Sequence, residues 1–380
     1  MSDLELLFLV LVCLYGWECA CWLRPGSIAF VTWLGKKWRP RSGSAVGNQH
    51  GSFILAAPLP PLGILLTANP PPVSFSSEGV VSGGFTGAVG KSAVHTRRFD
   101  DIKTVEAKGR KILLNGEEFV KAASAGLASY LAENIRSLKK LGIAERKPTI
   151  EKTLRETFDT KAVEERWKAF EQQIMSLHLL ANILFFYVFG FIPLVIWRFG
   201  LKMSWVGLLV GLLALTVSIA IFFRRTHKAF YPQAEDERFT HFLTVMLSPV
   251  TAIRALDILS RPLMETFHPL ALAGAFCAPE KLRELAAPVW RDIRFPASRG
   301  GDSVSSAAEE ESRAVYRKTV ENFLKRNKIN PDELLRPPQR LDETCAAYCP
   351  RCLAQFVKVE GGCPDCGGLP LETFKKPVPA

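Results

Sequence analysis

Two stretches of this 380-residue chain constrain its fold more than any other feature. Residues 177–197 and 203–223 each run 21 positions without Asp, Glu, Lys or Arg, and only residues 198–202 join them. As a helix, each is long enough to cross the ~30 Å hydrocarbon core of a bilayer. A backbone in hydrocarbon must satisfy its own hydrogen bonds, so each stretch is expected as a spanning helix and the pair as an antiparallel hairpin. The alternative is a hairpin buried in a soluble domain. Gly207 and Gly211 form a GxxxG step of the kind that lets helices approach closely.

A third span is expected over residues 4–23, apolar except for Glu5 and Glu18. It lacks the basic start and small-residue cleavage pattern of a signal peptide. Asp3 and Glu5 stand before it, whereas Arg24, Lys36, Lys37, Arg39 and Arg41 follow with no acid among them. The positive-inside rule then puts the N-terminus outside and residue 24 onward in the cytosol. Arg224, Arg225 and Lys228 fall inside as well; Arg198 and Lys202, in the hairpin link, are discordant. Glu18 is expected at the interface or paired with Arg24 rather than as a functional intramembrane carboxylate.

The net charge of +11 calls for an acidic partner, lipid headgroups or nucleic acid. Its distribution favours headgroups, because the positive charge gathers beside the expected spans. Apolar residues make up 48% of the chain, which leaves room for soluble domains beside the membrane part.

Residues 24–148 read as a cytosolic β-rich domain. Pro58, Pro60, Pro61 and Pro70–Pro72 punctuate short apolar runs between residues 40 and 90, which suits strands and turns rather than helices. Farther on, residues 102–106 and 111–114 flank a Lys108–Gly109 turn, and Asn115–Gly116 introduces residues 117–121. An Asn-Gly between two β-like runs is a strong hairpin signal. A helix over 124–141 should close the domain: Ser124 can cap it, Leu127, Leu131, Ile135 and Leu138 share one face, and Gly142 can end it. The order of elements over about residues 45–142 resembles a bacterial pleckstrin-homology-like domain, a class that binds lipids, peptides or proteins.

Residues 149–176 are expected as a charged stalk helix running into the hairpin of 177–223, with Leu154, Phe158, Val163, Trp167, Phe170 and Ile174 as its apolar stripe. A helical region over 224–296, broken by Pro249, Pro262, Pro269, Pro279 and Pro288, is too short or too charged in its pieces to span; it should lie flat on the membrane or pack under the soluble domain. His227, Glu235, Asp236, Glu237 and His241 cluster there, and Glu237 and His241 have the i, i+4 spacing of a helical metal pair. No second pair completes that set. Residues 297–340 read as a linker and helices.

The chemistry lies at residues 341–372. Of nine cysteines, five crowd between Cys345 and Cys366, unlike the spread pairs of a disulfide scaffold. Cys349-Pro-Arg-Cys352, ten residues, and Cys363-Pro-Asp-Cys366 make two knuckles, and the segment resembles the zinc ribbons of many unrelated proteins. The ligands expected for one structural Zn2+ are Cys349, Cys352, Cys363 and Cys366, with Cys345 a spare thiol. Four thiolates leave no open coordination position, which favours structure over catalysis. The ribbon carries Asp342, Glu343, Glu360, Asp365 and Glu372 against only Arg351 and Lys358, so nucleic acid is not its expected partner.

The expected protein is therefore a membrane α+β chain: three transmembrane helices, a β-meander plus helix domain, a helical region and a C-terminal zinc ribbon. The expected function is a scaffold or adaptor of the bacterial inner membrane, meeting protein partners through the β domain and the ribbon. The alternatives are a subunit of a larger membrane complex, or a membrane enzyme with its site near His227–His241.

Overall fold

The computed structural model describes residues 2–22, 27–31, 45–47, 53–55, 63–67, 72–82, 96–232, 234–296 and 303–374. Arg24, Lys36, Lys37, Arg39 and Arg41, which set the expected orientation, lie outside the described residues.

Helix α1 (Asp3–Trp22) opens the chain. It buries Tyr15 and leaves Leu9, Leu14 and Trp17 exposed. Short strands β1 (Ser27–Val31), β2 (Ala45–Gly47), β3 (Phe53–Leu55) and β4 (Gly63–Thr67) follow, paired antiparallel as β1 with β4 and β2 with β3. Strands β5 (Val73–Phe75), β6 (Gly79–Ser82) and β7 (Thr96–Arg98) make a three-stranded antiparallel sheet, and β8 (Val105–Lys108), β9 (Lys111–Leu114) and β10 (Glu117–Lys121) the meander the sequence leads one to expect. Its tight turns have the backbone angles that Asn-Gly accepts: Asn115 has φ 54° and Gly116 φ 83°. Asn115 also pins the preceding loop. Its Oδ1 accepts from the backbone N–H groups of Lys103 at 2.6 Å and Thr104 at 3.1 Å, and its Nδ2 donates to the Asp101 carbonyl at 2.8 Å.

Helix α2 (Ala125–Lys140) closes this domain with the expected cap, Ser124 Oγ accepting from Leu127 N–H at 3.1 Å. Leu127, Leu131, Ile135 and Leu138 are all buried, in a core shared with Phe99, Ile112 and Leu114. Gly142 does not end the helix in a left-handed cap. It starts the next one, α3 (Ile143–Thr157), with φ −66° and its N–H donating to the Glu145 carboxylate at 3.3 Å.

The single stalk helix over 149–176 is two helices. α3 stops at Thr157, and α4 (Thr160–Phe186) begins afresh because the Asp159 carboxylate accepts from Lys161 and Ala162 N–H groups at 2.9 and 3.3 Å. A side chain that caps its own backbone competes with helix continuation, and Asp does so well. The stripe survives the break: Phe158, Val163, Trp167, Phe170 and Ile174 are buried.

A π-turn at Tyr187–Phe191 leads from α4 into α5 (Ile192–Phe199), and Gly200, with φ 74°, turns the chain into α6 (Leu201–Phe230). The link between the apolar segments is thus one glycine, since helix covers the rest of 198–202. Residues 160–199 and 205–230 form two helices long and apolar enough to cross a membrane, with 22% and 28% of their most apolar windows buried. The core helix of a soluble protein would be mostly buried. Trp197, Val210 and Leu213 point outward at 60–70% exposure.

Helices α7 (Glu235–Leu247), α8 (Pro249–Ile253), α9 (Ala255–Ser260), α10 (Pro269–Phe276) and α11 (Pro279–Arg294) follow as the proline-broken region. Every residue from 251 to 260 is buried, so these pieces pack inward, sharing one core with α4 and α6. Helix α12 (Ser303–Arg326) does more than connect. Its Val315 enters the core of the β domain while Tyr316, Val320 and Phe323 enter the helical core. Short strands β11 (Ala347–Tyr348), β12 (Gln355–Phe356), β13 (Gly362–Cys363), β14 (Leu369–Pro370) and β15 (Glu372–Thr373) build the C-terminal unit.

Candidate metal centre

The four knuckle cysteines converge. The Sγ atoms of Cys349, Cys352, Cys363 and Cys366 lie within 4.8 Å of one another, and Cys352 and Cys363 are 3.6 Å apart. A tetrahedron with metal–sulfur bonds of about 2.3 Å has sulfur–sulfur edges of roughly 3.8 Å, whereas a disulfide would bring two sulfurs to about 2.05 Å. The set could therefore hold one metal ion.

Local backbone chemistry sets each knuckle. In the first, Leu353 N–H donates to the Cys349 carbonyl at 2.9 Å and Cys349 N–H to the Ala354 carbonyl at 2.8 Å. In the second, Gly368 N–H donates to the Cys363 carbonyl at 2.9 Å. Each knuckle ends with a left-handed residue directly after its second cysteine: Leu353 (φ 62°) and Gly367 (φ 71°). The sequence points to the glycine; Leu353 carries no such signal. β13 and β14 then pair so tightly that a Cβ on Gly362 would meet the Gly368 carbonyl oxygen at 2.3 Å.

Burial pushes the Cys352 thiol up to about 11 and raises that of Cys366 as well. Cys349 goes the other way: burial would raise it, but the N–H groups of Cys352 and Arg351 that point at its sulfur outweigh this and hold it below its usual range. A metal ion would compensate the remaining charge, since a coordinated thiol is deprotonated outright. Cys345 is buried but outside the cluster, as expected, and Asp342 Oδ1 accepts from its N–H at 3.2 Å.

Arg351, read from sequence as one of two bases on the ribbon surface, is 5% exposed and donates from Nε to Asp292 Oδ1 of α11 at 2.8 Å. The side chain between the first two cysteines thus bolts the metal unit onto the helical body.

The cluster from His227 to His241, at the end of α6 and the start of α7, arranges differently. Glu237 Oε1 accepts from the Ala125 N–H at 3.2 Å, and Ser124 Oγ donates to Glu265 Oε2. Two carboxylates thus meet the N-terminus of α2, where the helix dipole favours negative charge. The His227 and His241 rings stand 6.2 Å apart. Burial and Arg261 hold His241 below its ordinary value against the pull of Glu237. Among the described residues, the four cysteines are the one set of three or more such ligands close enough to share an ion.

Two buried constellations had no signal in the sequence. Arg254 and Asp257, both 2% exposed, pair through Nε and Oδ2, and Arg254 Nη1 donates to Cys19 Sγ at 3.0 Å. Beside them Thr251 Oγ1 donates to Glu18 Oε1 at 3.4 Å, so Glu18 is held by the helical body. His268 caps α10, its Nδ1 accepting from Leu270 N–H at 3.1 Å, while Nε2 lies 2.8 Å from Tyr316 Oη and the ring stacks on Phe158 at 4.1 Å. The accepting Nδ1 fixes the proton on Nε2.

No protein-family model, curated protein or solved structure matches this chain.

Proposed function

We propose that this chain is an integral membrane adaptor at the cytosolic face of a bacterial inner membrane, with zinc as the metal of its four-cysteine centre. The observation that carries the reading is the bolt between Arg351 and Asp292, which would make a closed metal knob a fixed part of the membrane-anchored body. Four thiolate ligands suit zinc in a tetrahedral structural site, and a cytosolic placement would keep them reduced. The outward apolar faces of α4–α6 suit lipid, and α1 would be the third span. The β-rich domain, in its pleckstrin-homology-like reading, and the ribbon would offer the docking surfaces. Nucleic acid has no part in this proposal, because the ribbon is acidic and Arg351 is already occupied.

The test places a photo-crosslinker at exposed Lys358 of the ribbon in the membrane-inserted chain. Discrete adducts and one zinc per chain are expected, both lost in Cys363→Ser/Cys366→Ser while the chain stays in carbonate-washed membranes. Adducts that persist unchanged without zinc would sink the adaptor reading. A disulfide between the knuckles would overturn both the metal and the orientation.

A further inference from the structure

Helix α7 folds back along the end of α6, and three contacts fix their register. Arg238 Nη2 donates to the Tyr231 and Pro232 carbonyls at 3.0 and 2.9 Å, the His227 and His241 rings stand 6.2 Å apart, and the Arg224 guanidinium lies over the Phe242 ring at 5.5 Å. Arg224, Glu235, Arg238, Phe239 and Phe242 line a groove of about 490 Å³ on this helix pair. Its charges are not balanced within the chain. Arg238 is only 8% exposed, yet Nη2 has carbonyl partners alone and the buried Nε has no hydrogen-bond partner. Glu235 stands one turn away on α7, at the spacing of an i, i+3 pair. Among the described residues neither it nor either arginine enters an ion pair. A guanidinium withdrawn from water without an anion is costly, and two carbonyl dipoles offset only part of that cost.

Position selects the source of that anion. Arg224 is the first charge after the uncharged run 203–223, so in the membrane reading, on which this inference rests, it lies at headgroup depth. Phe239, 60% exposed, is an apolar wall beside it. The register of the two helices then orders the groove outward from the bilayer: Arg224 beside Phe242, next Arg238, and last Glu235. A phospholipid presents its groups in a matching order, with the acyl chains first, then the phosphate, then the end of the headgroup.

We propose that this groove binds a phospholipid whose headgroup ends in a primary ammonium, with Arg224 and Arg238 on the phosphodiester and Glu235 on the ammonium. Guanidinium donors match phosphate oxygens. The carboxylate accepts from an ammonium N–H, gains less from a neutral terminus, and cannot accept a hydrogen bond from a quaternary one.

The test adds phosphatidylethanolamine, phosphatidylglycerol or phosphatidylcholine with the same acyl chains, or water-soluble glycerophosphoethanolamine, to the delipidated full chain in detergent. Native mass spectrometry counts what stays bound. Phosphatidylethanolamine is expected to bind about tenfold more tightly than the other two lipids, the factor of one charge-assisted hydrogen bond. Arg224→Gln and Arg238→Gln should each weaken it by about as much, and Glu235→Gln should bring it level with phosphatidylglycerol. Arg225→Gln, at an exposed residue of α6 outside the groove, should change nothing. Equal binding of the three lipids overturns the ammonium class. A loss in Arg225→Gln as large as in Arg224→Gln means general attraction to basic residues and overturns the site. Glycerophosphoethanolamine binding as tightly as the lipid overturns the bilayer source. Arg238 also caps α6, so if its variant does not fold, Arg224→Gln, at an exposed residue, carries the decision. Carbonate extraction separates the two claims. A chain retained in membranes but indifferent to the headgroup overturns the site alone, whereas a released chain overturns the membrane reading and the lipid source with it.

Discussion

At the scale of single residues, two side chains hold positions that ordinary chemistry disfavours. Burial keeps the His268 imidazole neutral, with its value lowered to about 3 from the usual 6.5. The unfolded chain takes up that proton below pH 6.5 and the folded chain does not until about pH 3. His268 therefore leaves stability untouched above pH 6.5 and lowers it by about 1.4 kcal/mol per pH unit as pH falls through that window. Melts between pH 6.5 and 5 should show a flatter slope for His268→Asn, which can still cap α10 but does not titrate. At Leu353 the strain is in the backbone, since a left-handed residue with a Cβ costs roughly 1–2 kcal/mol. Leu353→Gly should relieve about that much, read as slower metal loss to a chelator and a higher melting temperature.

Helix pairs raise the question of what the two glycines of α6 contribute. A Cβ on Gly211 would meet Tyr187 Oη at 2.3 Å, whereas one on Gly207 would meet nothing within 4 Å. Tyr187 reaches across the hairpin to donate to the Leu208 carbonyl at 2.9 Å. Gly211→Ala should displace that ring and cost about 1 kcal/mol, while Gly207→Ala should be neutral or stabilising through helix propensity. Unfolding titrations of the detergent-solubilised chain separate the two. The GxxxG spacing was visible in the sequence, but that only its second glycine faces a partner depends on the rotation of α6 against α4 and α5.

For the whole molecule, the buried Arg254–Asp257 pair joins α1 to the helical body through Cys19. Asp257→Leu leaves a guanidinium buried without its carboxylate and should cost about 3–5 kcal/mol. Adding Arg254→Met should recover most of that loss, because two packed apolar side chains need no counterion. A pair of equilibrium unfolding curves decides it; a double variant as unstable as the single one would mean the pair does more than balance charge. α12 ties the β domain to the same body, with the Glu311 carboxylate accepting from Ser77 N–H at 3.1 Å and Ser77 Oγ at 2.6 Å.

The two uncharged apolar runs, the meander around Asn115–Gly116, the amphipathic α2 and the four knuckle cysteines were all legible because each is a local pattern, set by side-chain periodicity, turn geometry or ligand spacing. The break at Asp159 was legible in principle, as an Asp able to cap a following helix, but a long apolar stripe concealed it. What joins these pieces was not legible. Arg351 meeting Asp292, Arg254 reaching Cys19 and His268 reaching Tyr316 are contacts between residues far apart in the chain. No spacing rule encodes such meetings; they exist only once burial has brought the surfaces together, and it is burial that gives each of them its chemistry.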